Sequence, residues 1–232
     1  QFCAQVRRIE HSRGRATRVV WDGPAGAQEL ECSHVISTMP LTHLVQAIDP
    51  PAPEAIRQTA SSLLHRSFIT VALVLPGVDL FPDTWIYIHD PTVRVGRIQN
   101  FRNWSPEMVP NDSQTTIGME YFCNQGDDLW NSSDSDLIAL ASAELRQLGL
   151  VPKVRGMEGY VARVGHAYPV YDPGYQERVG LLRHFLREFE NIQTCGRSGL
   201  HRYNNIDHAM LTGLYAAENV GGANHDVWQV NA

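Results

Sequence analysis

Residues 191–210 read NIQTCGRSGLHRYNNIDHAM, and they decide the fold of the C-terminal part of the chain. The pattern predicts a short strand, a loop that carries Gly196, Arg197 and Gly199, and a helix that one of the two following asparagines can cap. The glycines permit positive φ and close approach of the backbone, and the arginine can neutralise a pyrophosphate. The first N–H groups of a helix have no partner within it. This layout therefore favours an anionic or dipolar ligand at the helix N-terminus.

Composition limits the classes to which the protein can belong. The chain has 232 residues, of which 43% are hydrophobic and 19% charged, as in ordinary globular domains. Its formal net charge of -6 argues against a nucleic-acid binder, which needs a basic face. No apolar run reaches the roughly 18 residues of a membrane span. All but one of the 19 basic side chains are arginines, which suit bidentate contacts with phosphate or carboxylate.

The cysteines and histidines indicate neither a metal site nor a disulfide framework. The four cysteines lie far apart and include no Cys-x-x-Cys pair. We therefore expect reduced thiols and a cytoplasmic protein. The histidines occur without a His-Glu-x-x-His motif, so no metal is expected. The sequence also lacks the Gly-x-Ser-x-Gly elbow of hydrolases and the phosphate loop of NTPases.

The hydrophobic periodicity predicts a mixed α+β fold. Short, partly alternating strands are predicted at 1–10, 16–21 and 29–38. Stronger strand candidates, which together indicate an antiparallel sheet, follow at 67–76, 84–89, 93–102 and 115–123. Helices are predicted at 41–47, 54–64, 134–148, 173–189 and 206–220.

Two of these helices carry recognisable signals at their ends. Ser133 and Asp136 form a predicted capping pair at the start of the third helix, and Gly149 fits the position just after its end. At the next helix, Asp172 is expected to cap the N-terminus, with Pro173 as the first helical residue.

Arginines are dense on the predicted strand 93–102. Alternation places Arg97 on the same side of the strand as two valines, where a guanidinium needs a partner or a ligand. Together with Arg94 and Arg102, Arg97 predicts a surface for a small-molecule substrate that carries phosphate or carboxylate.

The string from Gly196 to Met210 resembles the second flavin-contacting segment of the FAD-dependent amine oxidase, protoporphyrinogen oxidase and UDP-galactopyranose mutase group. The resemblance implies FAD as cofactor, with Gly196 and Arg197 near its pyrophosphate and ribityl chain. It also implies contacts with the ribityl chain and the isoalloxazine for Asn205, Ile206, Asp207 and Met210. In such flavoenzymes the helix commonly points at a flavin edge that gains negative charge on reduction, and the positive end of the helix dipole stabilises that charge.

Other segments add to this resemblance. The strand that runs into Thr38 and Pro40 resembles the segment that returns from a small β-meander to the cofactor domain, which implies that both residues lie close to FAD. The aromatic strand 119–122 is expected to border the flavin. The Tyr-Pro pair at 168–169 resembles strand ends that approach the flavin ring in this group. The candidate catalytic residues are Arg97, Tyr121 and Tyr168.

The resemblance implies a division of the chain into three parts. Residues 1–45 would form the β-meander and returning strand of a Rossmann-like FAD-binding domain, 46–190 the substrate domain, and 191–232 the last strand, loop and helix of the FAD-binding domain. The Gly-x-Gly-x-x-Gly fingerprint for the ADP half does not occur in the sequence, and we expect it before Gln1. The chain is then expected to be the C-terminal portion of a flavoprotein, inactive by itself and a weak binder of FAD.

Three functional hypotheses follow. The first is an FAD-dependent oxidoreductase that oxidises a small organic substrate through the flavin. The second is a redox-neutral flavoenzyme similar to UDP-galactopyranose mutase, with the arginine-rich strand holding a diphosphate. The third is a non-catalytic scaffold similar to the Rab GDP-dissociation inhibitors. The sequence leaves the substrate, the electron acceptor and the oligomeric state open.

Overall fold

The computed structural model describes residues 2–77, 80–151 and 158–231. The strands are β1 (Gln5–Ser12), β2 (Arg15–Gly23), β3 (Gly26–Glu31), β4 (Val35–Ser37), β5 (Ile48–Asp49), β6 (His65–Pro76), β7 (Trp85–Tyr87), β8 (Arg97–Asn100), β9 (Gln114–Cys123), β10 (Glu158–Pro169) and β11 (Ile192–Thr194). The helices are α1 (Leu41–Ala47), α2 (Glu54–Ser61), α3 (Phe101–Trp104), α4 (Asp128–Asn131), α5 (Asp134–Gln147), α6 (Tyr175–Leu186), α7 (Gly196–Gly199) and α8 (Ile206–Val220). The predicted mixed α+β class is confirmed. Within the described ranges, no helix combines the length and apolar character needed to cross a bilayer.

The chain divides into two compact units. The first comprises Gln1–His65 and Tyr168–Ala232, and the second comprises Arg66–Ala167. The first unit therefore also contains residues 46–65 and 168–190, which the sequence analysis placed with the substrate domain. The assignment of cofactor and substrate roles to parts of the chain stays a prediction.

The first unit contains a β-meander and a short parallel ladder. The meander sheet has the order β3-β2-β1-β5. Strand β2 pairs with β1 and with β3 in antiparallel orientation, and β5 pairs with β1 in parallel orientation. Strands β4 and β11 form the parallel ladder, in which Val35 lies opposite Ile192 and Ser37 opposite Thr194. The core of the unit joins α1 and α6, and Leu41, Leu44 and Leu182 are fully buried there.

The second unit is built on a five-stranded sheet with the order β10-β6-β9-β8-β7. Burial alternates along most of β6, whereas β9 is buried at nearly every position, and Val71 and Met119 belong to the buried core. Leu137 and Leu145 of α5 belong to the same buried cluster. The confirmed antiparallel sheet thus has one face covered by a helix, as is common for such sheets.

The predicted strand 93–102 is wrong in extent, since only Arg97–Asn100 is a strand. At its C-terminal end Phe101 begins α3, and at its N-terminal end the cause is Glu144, a buried residue of α5. Its carboxylate accepts the backbone N–H groups of Arg94 at 2.6 Å and of Val95 at 3.1 Å. These two N–H groups are therefore directed to a helix and do not extend the strand.

The predicted strand 29–38 is two strands, because the chain changes its pairing partner. The N–H of Cys32 still donates to Thr17 of β2, at 3.0 Å, but the N–H of Val35 donates to the carbonyl of Asn191, at 2.8 Å. The break between Glu31 and Val35 is the point where the chain leaves the meander for the parallel ladder.

The start of α5 agrees with the sequence signal, whereas the start of α6 differs from it. Ser133 Oγ accepts the N–H of Asp136 at 3.1 Å, which confirms the predicted cap of α5. The helix predicted at 173–189 begins only at Tyr175, because Gly174 has φ 80° and occupies the N-cap position. Asp172 instead pairs with Arg178.

Asn191 ties β11 to the meander. Its side-chain amide donates to the carbonyls of Ala16 at 2.8 Å and Ser33 at 2.6 Å, and its Oδ1 accepts the N–H of Ala16 at 2.8 Å. The side chain is 1% exposed, so water does not replace these bonds if they are lost.

Asn191→Ala is expected to lower the free energy of unfolding by about 2–4 kcal/mol, because several buried backbone groups lose their partner together. Chemical denaturation followed by circular dichroism measures the effect. Asn224→Ala, at an exposed asparagine, serves as the control and should change little. A loss below about 1 kcal/mol for Asn191→Ala would contradict the importance of this contact.

Gly199 permits the close packing of α7 on the parallel ladder. A Cβ at this position would lie 2.5 Å from Thr194 Oγ1 and 3.2 Å from the carbonyl oxygen of Ser37. Thr194 Oγ1 also donates to the Gly199 carbonyl at 2.7 Å, so the hydroxyl cannot move away without losing a buried bond.

Gly199→Ala should destabilise the first unit and shift the loop that follows β11. Gly213→Ala provides a matched comparison, because Gly213 lies inside α8, where an added Cβ would meet no atom within 4 Å. That change should be neutral or should stabilise by up to about 1 kcal/mol, since alanine favours a helix interior. Thermal unfolding of both variants tests the pair, and equal melting temperatures would contradict the close packing at Gly199.

Candidate functional site

The candidate site of the first unit lies at the carboxyl ends of β4 and β11. Ser37 and Thr194 face each other at the end of the ladder, and the N–H of Cys195 donates to the Ser37 carbonyl at 2.9 Å. Thr38 and Gly196 therefore leave the ladder at the same end. Ligands of open parallel sheets bind outside the carboxyl ends of the strands. The structure thus brings together two of the residues predicted to bind the cofactor.

Gly196 begins the loop in the positive-φ conformation that the sequence analysis expected. Its φ is 75°, and a Cβ built there would meet no atom within 4 Å. Its N–H donates to Thr212 Oγ1 at 2.9 Å, and Thr212 is a fully buried residue of α8. The start of the loop is therefore fixed to the helix, while the space on the other side of Gly196 stays open.

Arg197 lies beside a pair of stacked tyrosines and contacts both rings. Its guanidinium carbon is 5.0 Å from the ring centre of Tyr168 and 4.7 Å from that of Tyr203. The two rings are 5.8 Å apart at an interplanar angle of 15°. Arg197 Nε donates to the carbonyl of Asn204 at 2.9 Å. The structure thus joins a predicted cofactor residue, Arg197, to a predicted catalytic residue, Tyr168.

A further pair of rings supports Tyr203. The hydroxyl of Tyr171 accepts the backbone N–H of Tyr203 at 2.6 Å, and Tyr171 itself stacks on Tyr175 at 4.4 Å. Sequence reasoning gave Tyr203 no role, although it lies inside the quoted string. Its half-exposed ring beside Arg197 makes it a candidate for ligand contact.

The N-terminus of α8 lacks a side-chain cap. Asn205 occupies the N-cap position, but its side chain makes no capping bond in the described part of the chain. First-turn N–H groups of such a helix are available to an outside acceptor. The exposed Asp207 in the same turn carries a negative charge, which disfavours a second anion there. The helix start therefore suits a dipolar group better than a phosphate.

The same helix presents an apolar stripe. Ile206, Met210 and Leu214 follow one another at intervals of four residues and are 79%, 63% and 58% exposed. A helix normally buries such a stripe. Ile206 and Met210, both predicted to contact the flavin, are thus accessible to a ring or to another apolar surface.

Thr38 and Pro40 differ in their exposure. Thr38 is exposed and borders an open groove of about 770 Å³ between the meander and β4. Pro40 is half-buried and occupies the N-cap position of α1. Beside them, burial raises the pKa of the Cys195 thiol, so this cysteine stays protonated and is no nucleophile at neutral pH.

Tyr121, in the second unit, is part of the core. The side chain is fully buried, and its hydroxyl donates to Glu144 Oε2 at 2.9 Å. Burial, followed by the negative charge of Glu144, raises the pKa of Tyr121 well above its ordinary value, so the hydroxyl keeps its proton. This position favours sheet packing as its role, and its catalytic assignment stays a prediction.

Arg97, also in the second unit, has a buried acidic partner. Its Nε donates to Glu120 Oε2 at 2.6 Å, and the two side chains are only 11% and 4% exposed. The other carboxylate oxygen accepts from Gln99. The partner that the sequence required for Arg97 is thus Glu120. Sequence reasoning missed it, although both residues fall on predicted strands of one antiparallel sheet.

The other two arginines of the predicted anion-binding surface are also engaged. Arg94 forms a bidentate pair with Asp128 at 2.9 and 3.0 Å. Arg102 donates to the backbone carbonyls of Asn111 and Gln114. The three arginines therefore serve the structure of the second unit, and their predicted contact with a substrate stays a prediction.

Comparison with solved structures identifies the fold. The crystal structure of reduced UDP-galactopyranose mutase aligns with 98% of this chain and 49% of its own, with a TM-score of 0.80 and 19% identity. A protein designated a protoporphyrinogen oxidase, from Exiguobacterium sp. 255-15, covers 94% of this chain and 47% of its own, with a TM-score of 0.64 and 17% identity. An oxidoreductase from Methanosarcina mazei covers 84% of this chain and 44% of its own, at a TM-score of 0.56 and 17% identity.

At these identities the likeness shows the fold alone, and the chain spans about half the length of the structures that it matches. A comparison with the curated proteins finds no match. The model of the family described as flavin containing amine oxidoreductase matches residues 1–221, which is nearly the whole chain. The chain therefore belongs to the flavin-containing amine oxidoreductase family.

Proposed function

We propose that this chain contributes the flavin-facing loop of an FAD-dependent oxidoreductase that oxidises a small organic substrate. The observation that carries the proposal is that Thr38, Gly196 and Arg197 all follow directly after the carboxyl ends of the two paired strands. Family membership supports a flavin as the cofactor. A cytoplasmic location is also proposed, and the four unpaired cysteines support it.

The residues of the first unit fit the parts of FAD. The open space beside Gly196 permits close approach of a ligand to the backbone, and Arg197 supplies a cation for the pyrophosphate. The exposed side chains of Ile206 and Met210 offer apolar contact to a ring. The negative charge of Asp207 disfavours the pyrophosphate at the start of α8 and favours the neutral ring of FAD there.

Bound FAD would supply a hydride acceptor, and the residues of the chain would bind and orient it. The uncapped first-turn N–H groups of α8 would donate to a polar edge of the bound cofactor. The stacked rings of Tyr168 and Tyr203 hold the guanidinium of Arg197 in one orientation. The geometry thus supports binding and electrostatic stabilisation as the contribution of this unit.

A redox-neutral mutase that acts on a nucleotide sugar is the second candidate. The supporting observation is the guanidinium of Arg197 in contact with two phenol rings, since this combination also suits a sugar phosphate. Bleaching of the flavin by an amine or another reduced organic compound would favour the oxidoreductase. Turnover of a UDP-sugar only after reduction, without net electron transfer, would favour the mutase. Failure to bind FAD in any preparation would leave only the scaffold hypothesis.

The 232-residue chain by itself is expected to bind FAD weakly and to be inactive, because the sequence holds no Gly-x-Gly-x-x-Gly for the ADP half. Equilibrium dialysis of the purified chain against FAD measures this. Stoichiometric flavin retained through gel filtration would show that the expectation is wrong.

Arg197→Ala should weaken FAD binding by about tenfold or more in the FAD-binding protein that contains this chain, because a charge-assisted contact with the pyrophosphate is lost. Flavin fluorescence during titration of the apoprotein gives the dissociation constant. Arg187→Ala is the matched control, since Arg187 is 65% exposed and its contact with Asp226 is long, at 3.9 Å. Unchanged affinity in Arg197→Ala would remove this residue from the cofactor site.

A further inference from the structure

Three exposed aromatic side chains of the second unit form an aromatic corner, which we define as Trp85, Tyr87 and Trp104. They are 45%, 56% and 50% exposed. The rings of Trp85 and Trp104 are 5.8 Å apart and nearly perpendicular, at 86°. Tyr87 lies 6.1 Å from Trp85. Single exposed apolar residues are ordinary, but a contiguous group of large rings at a surface is typical of a binding site.

The sheet holds the corner in place. Tyr87 of β7 lies opposite Arg97 of β8, and Trp85 lies opposite Gln99, so both rings rise from the same sheet face. Their positions are therefore set by strand register, which is more rigid than a loop.

Trp104 reaches the corner because Gly118 of β9 has no side chain. A Cβ at Gly118 would lie 2.9 Å from the outer edge of the Phe101 ring, so the glycine lets this ring approach the sheet closely. Phe101 begins α3, and Trp104 ends it. The helical turn thus places the indole of Trp104 edge-on to that of Trp85.

The charge beneath the corner is neutralised. The guanidinium carbon of Arg97 lies 5.4 Å from the ring centre of Trp85 and 5.8 Å from that of Tyr87. Its charge is matched by the buried carboxylate of Glu120, which also accepts from Gln99. A ligand at the exposed side of the rings therefore meets π-systems without a net positive charge behind them.

Two perpendicular rings suit a planar guest. A flat heteroaromatic ring can stack on one indole while its edge meets the face of the other, and both arrangements are favourable for aromatic pairs. We propose that the aromatic corner binds the uncharged heteroaromatic ring of a ligand, for which a nucleobase is the chemical model. The site lies wholly within the second unit and needs no flavin, so it goes beyond the proposed function.

Adenosine, adenosine monophosphate and ribose are the probes for this site, each titrated into ¹⁵N-labelled protein. The indole N–H signals of the five tryptophans report where a probe binds, after assignment by single Trp→Phe variants. Adenosine should shift the signals of Trp85 and Trp104 saturably, and ribose should not. The monophosphate should bind no more than about threefold more tightly than adenosine, because Glu120 cancels the charge of Arg97.

Trp104→Ala should weaken adenosine binding by about fivefold or more, as loss of one stacking partner does. Tyr160→Ala is the control, since Tyr160 is 59% exposed on β10, at the opposite edge of the same sheet. The proposal is overturned if neither Trp85 nor Trp104 responds, if ribose gives the same shifts, or if Trp104→Ala binds as well as the parent. If adenosine monophosphate bound ten times more tightly than adenosine, the proposal that the site recognises an uncharged group would be overturned. FAD content does not enter the measurement, so failure here leaves the proposed function standing.

Discussion

The buried amide of Asn191 is the contact on which the first unit depends. It satisfies both backbone groups of Ala16 and the carbonyl of Ser33, and so fixes the beginning of β11 against a meander that lies far away in sequence. The register of β11 against β4 follows from this anchor. Cys195 then extends the ladder through its bond to Ser37, and the loop that begins at Gly196 leaves from a fixed point. A preorganised loop of this kind binds a ligand without first paying the entropy of ordering its backbone.

The two arginines that the sequence singled out have different electrostatic surroundings. Arg197 contacts a backbone carbonyl and two tyrosine rings, none of which carries a formal negative charge. Arg97 contacts the carboxylate of a nearly inaccessible glutamate. A nearby opposite charge weakens the field of a cation, and for Arg97 that charge is the carboxylate of Glu120. The two arginines therefore lie in different local environments, although their sequence signals are similar.

Local patterns predicted most elements of this fold, because they depend on neighbours along the chain. Examples of such locally determined features are the helix cap formed by Ser133 and the loop that begins at Gly196. The failures arose where a distant residue decides the outcome. The carboxylate of Glu144 accepts two backbone N–H groups of the predicted strand 93–102. The carbonyl of Asn191 accepts the N–H of Val35, so the chain pairs with a new strand after Glu31. The same reason explains why the Arg97 partner and the ring of Tyr203 were missed, whereas the loop residues themselves were found.

The buried Arg97–Glu120 pair also has an evolutionary consequence. The guanidinium of Arg97 is always charged, and the carboxylate of Glu120 offsets that charge on this sheet face. Replacement of Glu120 by a neutral side chain would uncover a cation among three aromatic rings, those of Trp85, Tyr87 and Phe122. Loss of this carboxylate from beside a side chain that is only 11% exposed would typically cost about 3–5 kcal/mol of stability. The charge preference of this face can therefore diverge between relatives only together with a compensating gain in stability elsewhere.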